Sequence, residues 1–510
     1  MTKPMVRRSF PIRKLALLAL AICTCSSLFG QSKPREIKIN HADVARLENQ
    51  GNNPAKRLIG HVQMEHDGVI MTCDSAWHFS VQNAFQAFGN VVIRQNDTLT
   101  ITGDSARYDG KNKKAYIFHN VHLQNTTTQL NTDYLIYDLD SKQGRYLLGG
   151  TITDKNNQLS SRNGTYDANS ASYAFKDSVV LHSKQYTILT DTLHYNTRSH
   201  QATFLGPTRI TGENTSVYCE NGFYNTSSGK LEYYKNVMIT KGDRSIGGDS
   251  IVYDEKTGIG QIYGRAIMID TAEHTMIRGD YASYLDRKDS SFVTGNALLV
   301  MVMDGDSMFL HADTLTSKED TITKNRTVYA YHHVKFFKSD MQGKCDSLTY
   351  RESDSTMYMF GTPILWSEEN QITAANIRIR IWDDKVQKMF IEENAFIVSQ
   401  EDSSKYNQIK GRMMTGFFLE NALSKIWVEG NGQTIYFPKS EKGFIGVNRA
   451  DCSNLWVRMQ EGKVHDIVFM TQPDATLYPL EDLPPPDRIL RGFQWLSNLR
   501  PYQKGDVFSW

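Results

Sequence analysis

The chain is predicted to be an elongated, all-β protein, an antiparallel β-roll built from about twelve repeats of about 29 residues. Three features of the sequence indicate this fold class. Tyrosine and acidic residues recur at a fixed spacing, apolar and polar residues alternate with a period of two, and no apolar stripe at helical spacing runs through the repeats. Helix is therefore expected to be scarce.

The first feature is a run of tyrosines. Five consecutive steps of 29 residues and one of 31 connect Tyr108, Tyr137, Tyr166, Tyr195, Tyr224, Tyr253 and Tyr284. Four residues before most of these tyrosines stands an acid: Asp104, Asp133, Asp191, Asp249 and Asp280, with Asp74, Asp313 and Asp346 extending the register. A period of this length is typical of repeat proteins, in which each unit buries its apolar face against the next.

A second landmark lies between the acids. It is a turn-tolerant pair followed by apolar residues at alternate positions, as in Gly89-Asn90, His119-Asn120, Lys235-Asn236 and Gly295-Asn296. This pattern predicts a tight turn that enters a half-buried strand. Residues 91–95, 99–108 and 115–118 each alternate and are separated by short polar turns, which predicts about three strands per repeat. Turns of this hairpin-like length favour antiparallel pairing.

The repeats define the predicted domain organisation. The repeat array is expected over residues 31–400, and residues 401–510 are expected to form a divergent C-terminal β cap with a proline-containing tail and a short helix near residues 487–499. Strands about 4.8 Å apart, with one to one-and-a-half strands per sheet from each unit, predict a body on the order of 60–90 Å long.

The N-terminus resembles an export signal. Five basic residues precede an apolar run over residues 15–22 and a segment of small residues that ends at Gly30; they are Lys3, Arg7, Arg8, Arg13 and Lys14. This order is typical of a cleaved signal peptide, which we place at residues 1–30. Cys23 and Cys25 each follow a residue that does not suit a lipoprotein signal, so lipid anchoring is the weaker reading. We therefore expect a periplasmic protein, which can be associated with the outer membrane.

Composition narrows the class of partners. Removal of the five basic residues of the signal changes the formal net charge from +1 to −4, so neither a nucleic-acid footprint nor a polybasic membrane patch is expected. No later stretch reaches the roughly 18 apolar residues of a membrane-spanning helix. Nucleic acid is excluded as an expected partner.

Four cysteines follow the predicted signal peptide: Cys73, Cys219, Cys345 and Cys452. Each stands beside the recurring acid, so they occupy the same corner of widely separated layers of a stacked array. Bridged cysteines need Cα atoms within about 7 Å. We therefore interpret these cysteines as small buried residues rather than disulfide partners.

No pattern of catalytic or metal-ligating residues is found. The acids recur once per unit, whereas a catalytic centre is a single cluster, so we interpret them as groups that satisfy backbone donors at a recurrent bend. The pair His332-His333 has no neighbouring ligand at metal-site spacing and is interpreted as a surface or strand feature. The sequence therefore predicts no enzyme, no catalytic residue, no metal and no cofactor.

The order of a Gly-Asn-Val-x-Ile segment, a polar turn, an alternating strand and an Asp-Ser-Ala-x-Tyr-Asp segment resembles the repeat of the OstA-like family. The similarity covers about residues 36–400, with the best matches at residues 60–78, 89–108, 120–137 and 236–253. That family includes the periplasmic lipopolysaccharide carrier LptA and the N-terminal domain of LptD. The resemblance implies an open, V-shaped β-jellyroll whose interior takes acyl chains and whose end strands join edge to edge.

The chain departs from that family in length and at its C-terminus. It is far longer than the single-domain carrier, and it lacks the long succession of alternating strands expected for a translocon barrel. The expected partners are lipopolysaccharide or a related glycolipid, outer-membrane translocon or inner-membrane export components bound through edge strands, and further copies of the chain joined head to tail.

If lipid is the cargo, its acyl chains are expected against the inward row of each unit. The candidate lipid-binding residues are Val91, Ile93, Leu99, Ile101, Val121, Leu123, Leu135, Val179, Leu193, Val237, Ile239 and Ile251. Apolar alternation is also what any β-roll needs for its core, so the same residues fit a purely structural role.

Three functions compete. Lipid transfer toward the outer membrane predicts a large apolar interior that side chains leave incompletely filled. A non-lipid structural or assembly scaffold of the cell envelope predicts a filled core with aromatic and charged residues on one outer face. A polysaccharide-degrading β-helix would need a local cluster of charged residues, and the hairpin-like turns disfavour it.

Overall fold

The computed structural model describes residues 36–510, except residues 51–52, 96–98, 126–127, 156, 168, 226, 286–289, 304, 384 and 442. The predicted signal peptide lies outside the described residues. No helix within the described part of the chain is long and apolar enough to cross a membrane.

Strands make up most of the described chain, which confirms the all-β prediction. The strands are β1 Lys38–His41, β2 Val44–Gln50, β3 Asn53–His66, β4 Val69–Phe79, β5 Ala84–Gln95, β6 Leu99–Asp109, β7 Lys114–Asn125, β8 Gln129–Asp138, β9 Gln143–Tyr146, β10 Gly150–Thr153, β11 Asn157–Ser161, β12 Asn163–Asp167, β13 Ser172–Ser183, β14 Tyr186–Asn196, β15 Gln201–Gly212, β16 Thr215–Asn225, β17 Lys230–Lys241, β18 Arg244–Asp254, β19 Ile259–Asp270, β20 Thr275–Leu285, β21 Ser290–Met303, β22 Asp306–Glu319, β23 Arg326–Phe337, β24 Met341–Arg351, β25 Thr356–Phe360, β26 Ile364–Ser367, β27 Asn370–Thr373, β28 Asn376–Trp382, β29 Lys385–Gln400, β30 Tyr406–Leu419, β31 Ala422–Tyr436, β32 Lys439–Ser440, β33 Gly443–Phe444, β34 Val447–Gln460, β35 Lys463–Met470 and β36 Asp474–Tyr478.

Helix is limited to short 3-10 turns in the described residues, at Glu352–Asp354, Pro485–Arg488, Ser497–Leu499 and Lys504–Phe508. The region around residues 487–499 holds two of these turns, where one short helix was expected. The proline pair at the start of Pro485–Arg488 fits the beginning of a helical turn, where no backbone donor is needed.

All described strands except the separate pair β32 and β33 form one antiparallel sheet, in which most strands pair with their neighbours in chain order. Where a bent strand is divided into two short ones, as in β9–β12 and β25–β28, each short strand pairs with the next strand of its own wall, for example β8 with β10 and β25 with β28. Most strands are long and bend in the middle, where the register shifts. In β5, residues 84–88 pair with β4 on one side of the bend and residues 92–95 pair with β4 on the other. The same shift recurs from strand to strand. The sheet is therefore folded along a spine into two facing walls.

The wall that contains the periodic tyrosines is called here the tyrosine wall, and the other is called the opposite wall. Residues 105–109 of β6 lie in the tyrosine wall and residues 99–103 lie in the opposite wall. Alternation places every second side chain of each wall in the space between them. The fold agrees with the elongated antiparallel β-roll that the repeats predicted and with the β-jellyroll that the family resemblance implied.

The turn-tolerant landmark does not separate strands as predicted. Gly89 and Asn90 both have positive φ, of 73° and 44°, and they form the bend inside β5. Each 29-residue repeat consequently contributes two bent strands, such as β15 and β16, rather than three straight ones. A two-residue bulge re-aims a strand without ending its hydrogen-bonded ladder, which is why the sequence pattern resembled a turn.

The interior between the walls holds two large apolar clusters. The N-terminal cluster extends from Ile37 to Phe204 and the C-terminal cluster from Val217 to Met459. Cys73, Cys219, Cys345 and Cys452 are buried and free, as predicted.

The sheet continues across residue 400 without a break, because β29 pairs with β30 over both of its halves. The meander then runs through β31 and β34 to β35 and β36. The sequence pattern therefore changes near residue 400 within one continuous ladder of strands. The predicted domain boundary between residues 31–400 and 401–510 stays a prediction.

The last residues, 479–510, are called here the C-terminal strap. The strap turns back along the outer face of the opposite wall, crossing strands instead of pairing with them. Gln408 bonds the backbone at Arg488 and Leu490, and Gln371 bonds the backbone at Gln494 and Leu496. Leu483 and Leu490 join Phe396, Val398, Ile435, Phe437 and Val447 in a third, outer apolar cluster.

Candidate binding site in the interior

All twelve predicted interior residues belong to the two inner clusters. Nine belong to the N-terminal cluster, where Leu99 and Leu123 are at its margin; Val237 and Ile251 belong to the C-terminal cluster, with Ile239 at its margin. The inward direction of these side chains follows from strand alternation. Their role as lipid contacts stays a prediction.

A large cavity lies where the two clusters meet. Its volume is about 680 Å³, within the range of roughly 300–1,000 Å³ that is common for ligand pockets. Seven aromatic side chains line it: Tyr173, Phe175, Tyr186, Tyr195, Phe204, Tyr224 and Tyr233. Aliphatic side chains, including Ile188, Leu193 and Ile210, complete the apolar lining.

Three further cavities lie on the two sides of this one, and each is far smaller. Two small cavities near the N-terminus have volumes of about 30 and 40 Å³, and one between β22 and β29 has about 30 Å³. Spaces of this size hold about one to a few water molecules. Of these cavities, only the central one has room for a ligand with several carbon atoms.

Local packing explains where the filling stops. Next to the cavity, Tyr146 lies across the interior, where its hydroxyl is 2.5 Å from the Ser161 hydroxyl. Gly150 and Gly164 make room for its ring, since a Cβ added at either position would come within 3 Å of ring atoms. Tyr146 therefore fills its own layer of the interior. The small side chain of Ala202, which pairs with Tyr195 and Tyr224 in later layers, lines the cavity.

The phenols of the cavity are neutral hydrogen-bonding groups. Burial raises the pKa of Tyr173, Tyr224 and Tyr233 above the ordinary value of 10. Because the hydroxyls stay protonated at neutral pH, they add polarity without charge. An aromatic ring with a neutral polar tip suits the boundary between an apolar ligand and a wetter mouth.

The mouth of the cavity carries polar groups. The polar residues that line it are Asp154, Asn157, Gln185, Thr197 and Glu255. Two of them, Asp154 and Glu255, are exposed. Asp154 accepts hydrogen bonds from the backbone N–H (2.7 Å) and side-chain amide (3.2 Å) of Asn157. The site thus has an apolar floor and a hydrogen-bonding rim.

The periodic acids lie outside the interior, along the spine. Four carboxylates at the recurring acid position accept a hydrogen bond from the asparagine amide sixteen residues later: Asp74 from Asn90 at 2.9 Å, Asp104 from Asn120 at 2.8 Å, Glu220 from Asn236 at 2.8 Å and Asp280 from Asn296 at 3.0 Å. The two sequence landmarks therefore bind each other. The prediction of a structural role at a bend agrees with this geometry, although the donors in these four pairs are side-chain amides rather than backbone groups.

The histidine pair belongs to the same spine. His333 lies 2.8 Å from the carboxylate of Asp313, and His332 lies 3.2 Å from that of Asp346. Hydrogen bonds from Ser347 and His332 lower the pKa of Asp346. Both histidines have positive φ at a bend, so they stand where other repeats have Gly-Asn. Their interpretation as an exposed strand feature is confirmed.

The sequence prediction missed the aromatic lining of the cavity, because all twelve residues that it selected are aliphatic. Of the twelve predicted residues, only Leu193 lines the central cavity. Two of its aromatic residues, Tyr195 and Tyr224, are members of the 29-residue tyrosine series and could have been chosen on that signal. The sequence offered no such signal for three other tyrosines of the lining, which lie outside the series: Tyr173, Tyr186 and Tyr233.

Comparison with known families matches most of the repeat region. Residues 34–191 and 180–249 match the family described as OstA-like protein, and residues 276–385 match the family described as LptA/(LptD N-terminal domain) LPS transport protein. A comparison with curated proteins finds no match.

Two solved structures were compared with the chain. LptH from Pseudomonas aeruginosa, a periplasmic component of a lipopolysaccharide transport device, is 14% identical over 19% of this chain and 75% of its own, with a TM-score of 0.18. The extracellular domain of the putative hybrid two-component system BT4673 from B. thetaiotaomicron is 8% identical over 88% of this chain and 100% of its own, with a TM-score of 0.08. Neither likeness carries an argument at these scores.

The family matches cover the same strands that carry the bend, the acid and the inward apolar row. The match to the family of lipopolysaccharide transport proteins extends from β20 to β28. The repeat array of this chain belongs to the OstA-like family of lipopolysaccharide transport proteins.

Proposed function

We propose that this protein binds a lipid between its two walls and carries it through the periplasm toward the outer membrane. The lipid is lipopolysaccharide or a related glycolipid. The observation that carries the proposal is the aromatic-lined cavity of about 680 Å³ between the two packed clusters. The family membership of the array supports the same class of cargo.

The chemistry of the cavity favours acyl chains. Its floor is aromatic and aliphatic, and each methylene buried there contributes roughly 0.8 kcal/mol. The hydroxyl, amide and carboxylate groups of the rim can bind sugar hydroxyls. We propose that the protein acts by binding rather than catalysis, because the periodic acids engage asparagine or histidine side chains along the spine.

The ends of the sheet support a bridging role. β1 and β2 pair with β3, while β35 and β36 pair with β34, and these strands end the described ladder on its two sides. A strand edge is a ready template for pairing with another chain. We propose that membrane-export components or further copies of this chain bind there.

The first experiment is native mass spectrometry of protein purified from its own envelope without delipidation, followed by identification of extracted lipid. Stoichiometric glycolipid is the expected result. A lipid-free protein that also fails to take up added lipopolysaccharide would overturn the proposal and favour the scaffold function.

A variant that fills the cavity tests the site itself. Ala202 lines the cavity, so Ala202→Trp places an indole in free space and is expected to reduce bound lipid at least severalfold while the protein stays folded. The matched control is Ala174→Trp on β13, since Ala174 lies between the inward residues Tyr173 and Phe175 and faces outward. Equal lipid content in the two variants would place the cargo elsewhere.

A further inference from the structure

The central cavity is limited at both ends, so it is a compartment of the interior rather than part of a continuous trough. Tyr146 fills the interior on the side toward the N-terminus. On the other side, Tyr284 lies against Gly260, where an added Cβ would stand 2.0 Å from a ring carbon, and it stacks on Tyr253 with centroids 6.1 Å apart. These rings continue the inward row that lines the cavity, in the cross-strand order Ala202, Tyr224, Leu231, Tyr253, Gly260 and Tyr284.

The volume of this compartment limits the number of acyl chains. An engineered protein cavity of about 150 Å³ holds one benzene molecule, which corresponds to about 25 Å³ per carbon atom. At about 680 Å³, the central cavity has room for roughly 27 carbon atoms by the same measure. That is enough for two chains of about twelve to fourteen carbons, whereas six such chains would need about three times the volume.

The mouth of the cavity is negatively charged on both walls. Asp154 lies in the turn between β10 and β11 of the opposite wall, and Glu255 lies in the turn between β18 and β19 of the tyrosine wall. Among the described residues that line the cavity, none is a lysine, an arginine or a histidine. The charge that a bound headgroup meets therefore comes from two carboxylates.

This negative charge is felt by the phenols inside. Burial raises the pKa of Tyr224, and the charge of Glu255 adds to the effect. Burial also raises the pKa of Tyr173, with a smaller contribution from Asp154. Carboxylates that disfavour a phenolate also disfavour a phosphate placed beside them, because like charges repel.

The hydrogen-bonding groups of the mouth point to the same class of headgroup. A carboxylate only accepts hydrogen bonds, and a sugar hydroxyl can donate to it. The side chains of Asn157, Gln185 and Thr197 both donate and accept, so they can serve further hydroxyls. A phosphate only accepts, and it is bound best by charged donors such as arginine.

Other lipids fit less well. A single fatty acid would leave about half of the volume unfilled and would bring its own carboxylate to a negatively charged mouth. A bisphosphorylated lipid with six chains would exceed the volume and would meet the same repulsion.

We infer that the central cavity takes a glycolipid with two acyl chains, whose polar group at the mouth carries hydroxyls and no phosphate. This inference rests on the lipid-binding function proposed above and narrows its cargo to one chemical class.

The test is a competition for the full mature protein, freed of bound lipid by detergent exchange. It is offered an equimolar mixture of three lipids, and the bound species are counted by native mass spectrometry. The lipids are didodecanoyl glycerol bearing one glucose, didodecanoyl glycerol bearing one phosphate, and a six-chain, bisphosphorylated lipid A. The glucosyl lipid is expected to bind at least tenfold better than either of the others, because each carboxylate changes the affinity for a phosphate by a factor of a few.

Removal of the two charges should reduce this preference. The double variant Asp154→Asn and Glu255→Gln is expected to lower the ratio of glucosyl to phosphate lipid at least threefold. Glu255→Gln alone should lower it in part, which keeps the test available if the turn at Asp154 needs its carboxylate. The matched control is Asp243→Asn with Glu273→Gln, since both acids are exposed in turns of the opposite wall outside the cavity lining, and it should leave the ratio unchanged.

Equal binding of the glucosyl and phosphate lipids would overturn the inference, as would a ratio that the charge-removing variants leave unchanged. Phosphate lipid that binds as well as the glucosyl lipid once magnesium is added would also overturn it, because a cation would then bridge the phosphate to the carboxylates. Preferred binding of the six-chain lipid would overturn the inference and leave the proposed function intact. A protein that takes up none of the three lipids would overturn both.

Discussion

At the scale of single residues, the bend is the element that the repeat preserves. Gly89 adopts a left-handed conformation, and a Cβ at this position would stand 2.3 Å from a carboxylate oxygen of Asp74. The acid therefore lies against the glycine and reaches the amide of Asn90 beyond it. The bend needs a small residue that tolerates positive φ, and beside it a carboxylate that accepts from the next side chain. Because Gly89 and Asp74 supply these together, the two landmarks recur together.

Gly89→Ala should destabilise the protein by about 1–3 kcal/mol, because it adds backbone strain and displaces the Asp74 carboxylate. Gly68 is the matched control, since its φ is +79° and an added Cβ would meet nothing within 4 Å. Gly68→Ala should therefore cost only the backbone strain, about 1 kcal/mol. Urea unfolding of both variants checks this, and equal losses would show that the contact with Asp74 adds nothing.

A histidine makes one bend sensitive to pH. His61 lies 2.9 Å from Asp43, and this hydrogen bond raises the pKa of His61 above 6.5 and lowers that of Asp43 below 3.8. Because the pKa of His61 is raised, the contribution of its charged form to folding is complete below pH 6.5. That contribution is lost as the pH rises through the pKa of His61 in the folded protein. Because the pKa of Asp43 is lowered, the contribution of its carboxylate to folding is complete above pH 3.8. That contribution is lost as the pH falls through the pKa of Asp43 in the folded protein.

The pair should thus be strongest between about pH 4 and 6.5. An NMR titration of His61 should give a pKa above 6.5, and Asp43→Asn should return it toward 6.5. Because both groups are exposed, the effect on overall stability should be small. A pKa of His61 that Asp43→Asn leaves unchanged would contradict the assignment.

At the scale of elements, the C-terminal strap is the part that departs most from the repeat. Gln371 and Gln408 are almost fully buried beneath it, although an outer strand face is normally solvated. Each glutamine donates to one backbone carbonyl of the strap and accepts from the backbone N–H two residues further on. The side-chain amide thus imitates a neighbouring strand.

The end of the strap is held by rings and cations. Trp510 lies over the ammonium group of Lys344, 3.8 Å from nitrogen to ring centroid, and Phe508 packs on His311 with centroids 4.7 Å apart. Arg500 donates to the side-chain oxygen of Gln342 at 2.8 Å. These contacts join the strap to strands from β22 to β30, so it braces the opposite wall across the strand direction.

Replacing Gln371 and Gln408 by alanine should loosen the strap. Each loss leaves a backbone donor and an acceptor without a partner, at about 1–3 kcal/mol per site. Limited proteolysis should cut residues 479–510 at least tenfold faster than in the unchanged protein. Gln433→Ala is the control, because the side-chain amide of Gln433 donates to the exposed Asp451 and not to the strap backbone. Unchanged cleavage in the double variant would contradict the bracing role.

At the scale of the whole molecule, stability is expected to be uneven. Repeat arrays are held together by contacts between neighbours, so a poorly filled layer is a weak link. The central cavity lies between the N-terminal and C-terminal clusters, and among the described residues only Ile210 packs against both. The molecule therefore has two well-packed halves joined at its candidate binding site.

Hydrogen exchange should show this weak link. In lipid-free protein, amides of β13 to β16 should exchange faster than those of β5 to β7 or β22 to β24, because fewer buried contacts support them. Bound lipid should slow exchange in β13 to β16 most, since a ligand stabilises the state that binds it. Uniform protection along the array in the lipid-free protein would contradict the two-halves description.

Much of the fold could be predicted because its determinants are local and repeated. The tyrosine period, the acid, the positive-φ pair and strand alternation each act within one or two neighbouring strands. The number of strands per repeat was wrong because a bulge and a turn use the same residues, and only pairing on both sides of Gly89-Asn90 separates them.

What the sequence by itself determined is an all-β array with its acids on the spine, its apolar row inside and its cysteines unpaired. The tertiary structure alone decided where the interior is filled and where it is open, because that depends on the combined volumes of side chains from strands of both walls. It also decided that the strap lies outside, since the glutamines that hold it are at least 80 residues away in the chain.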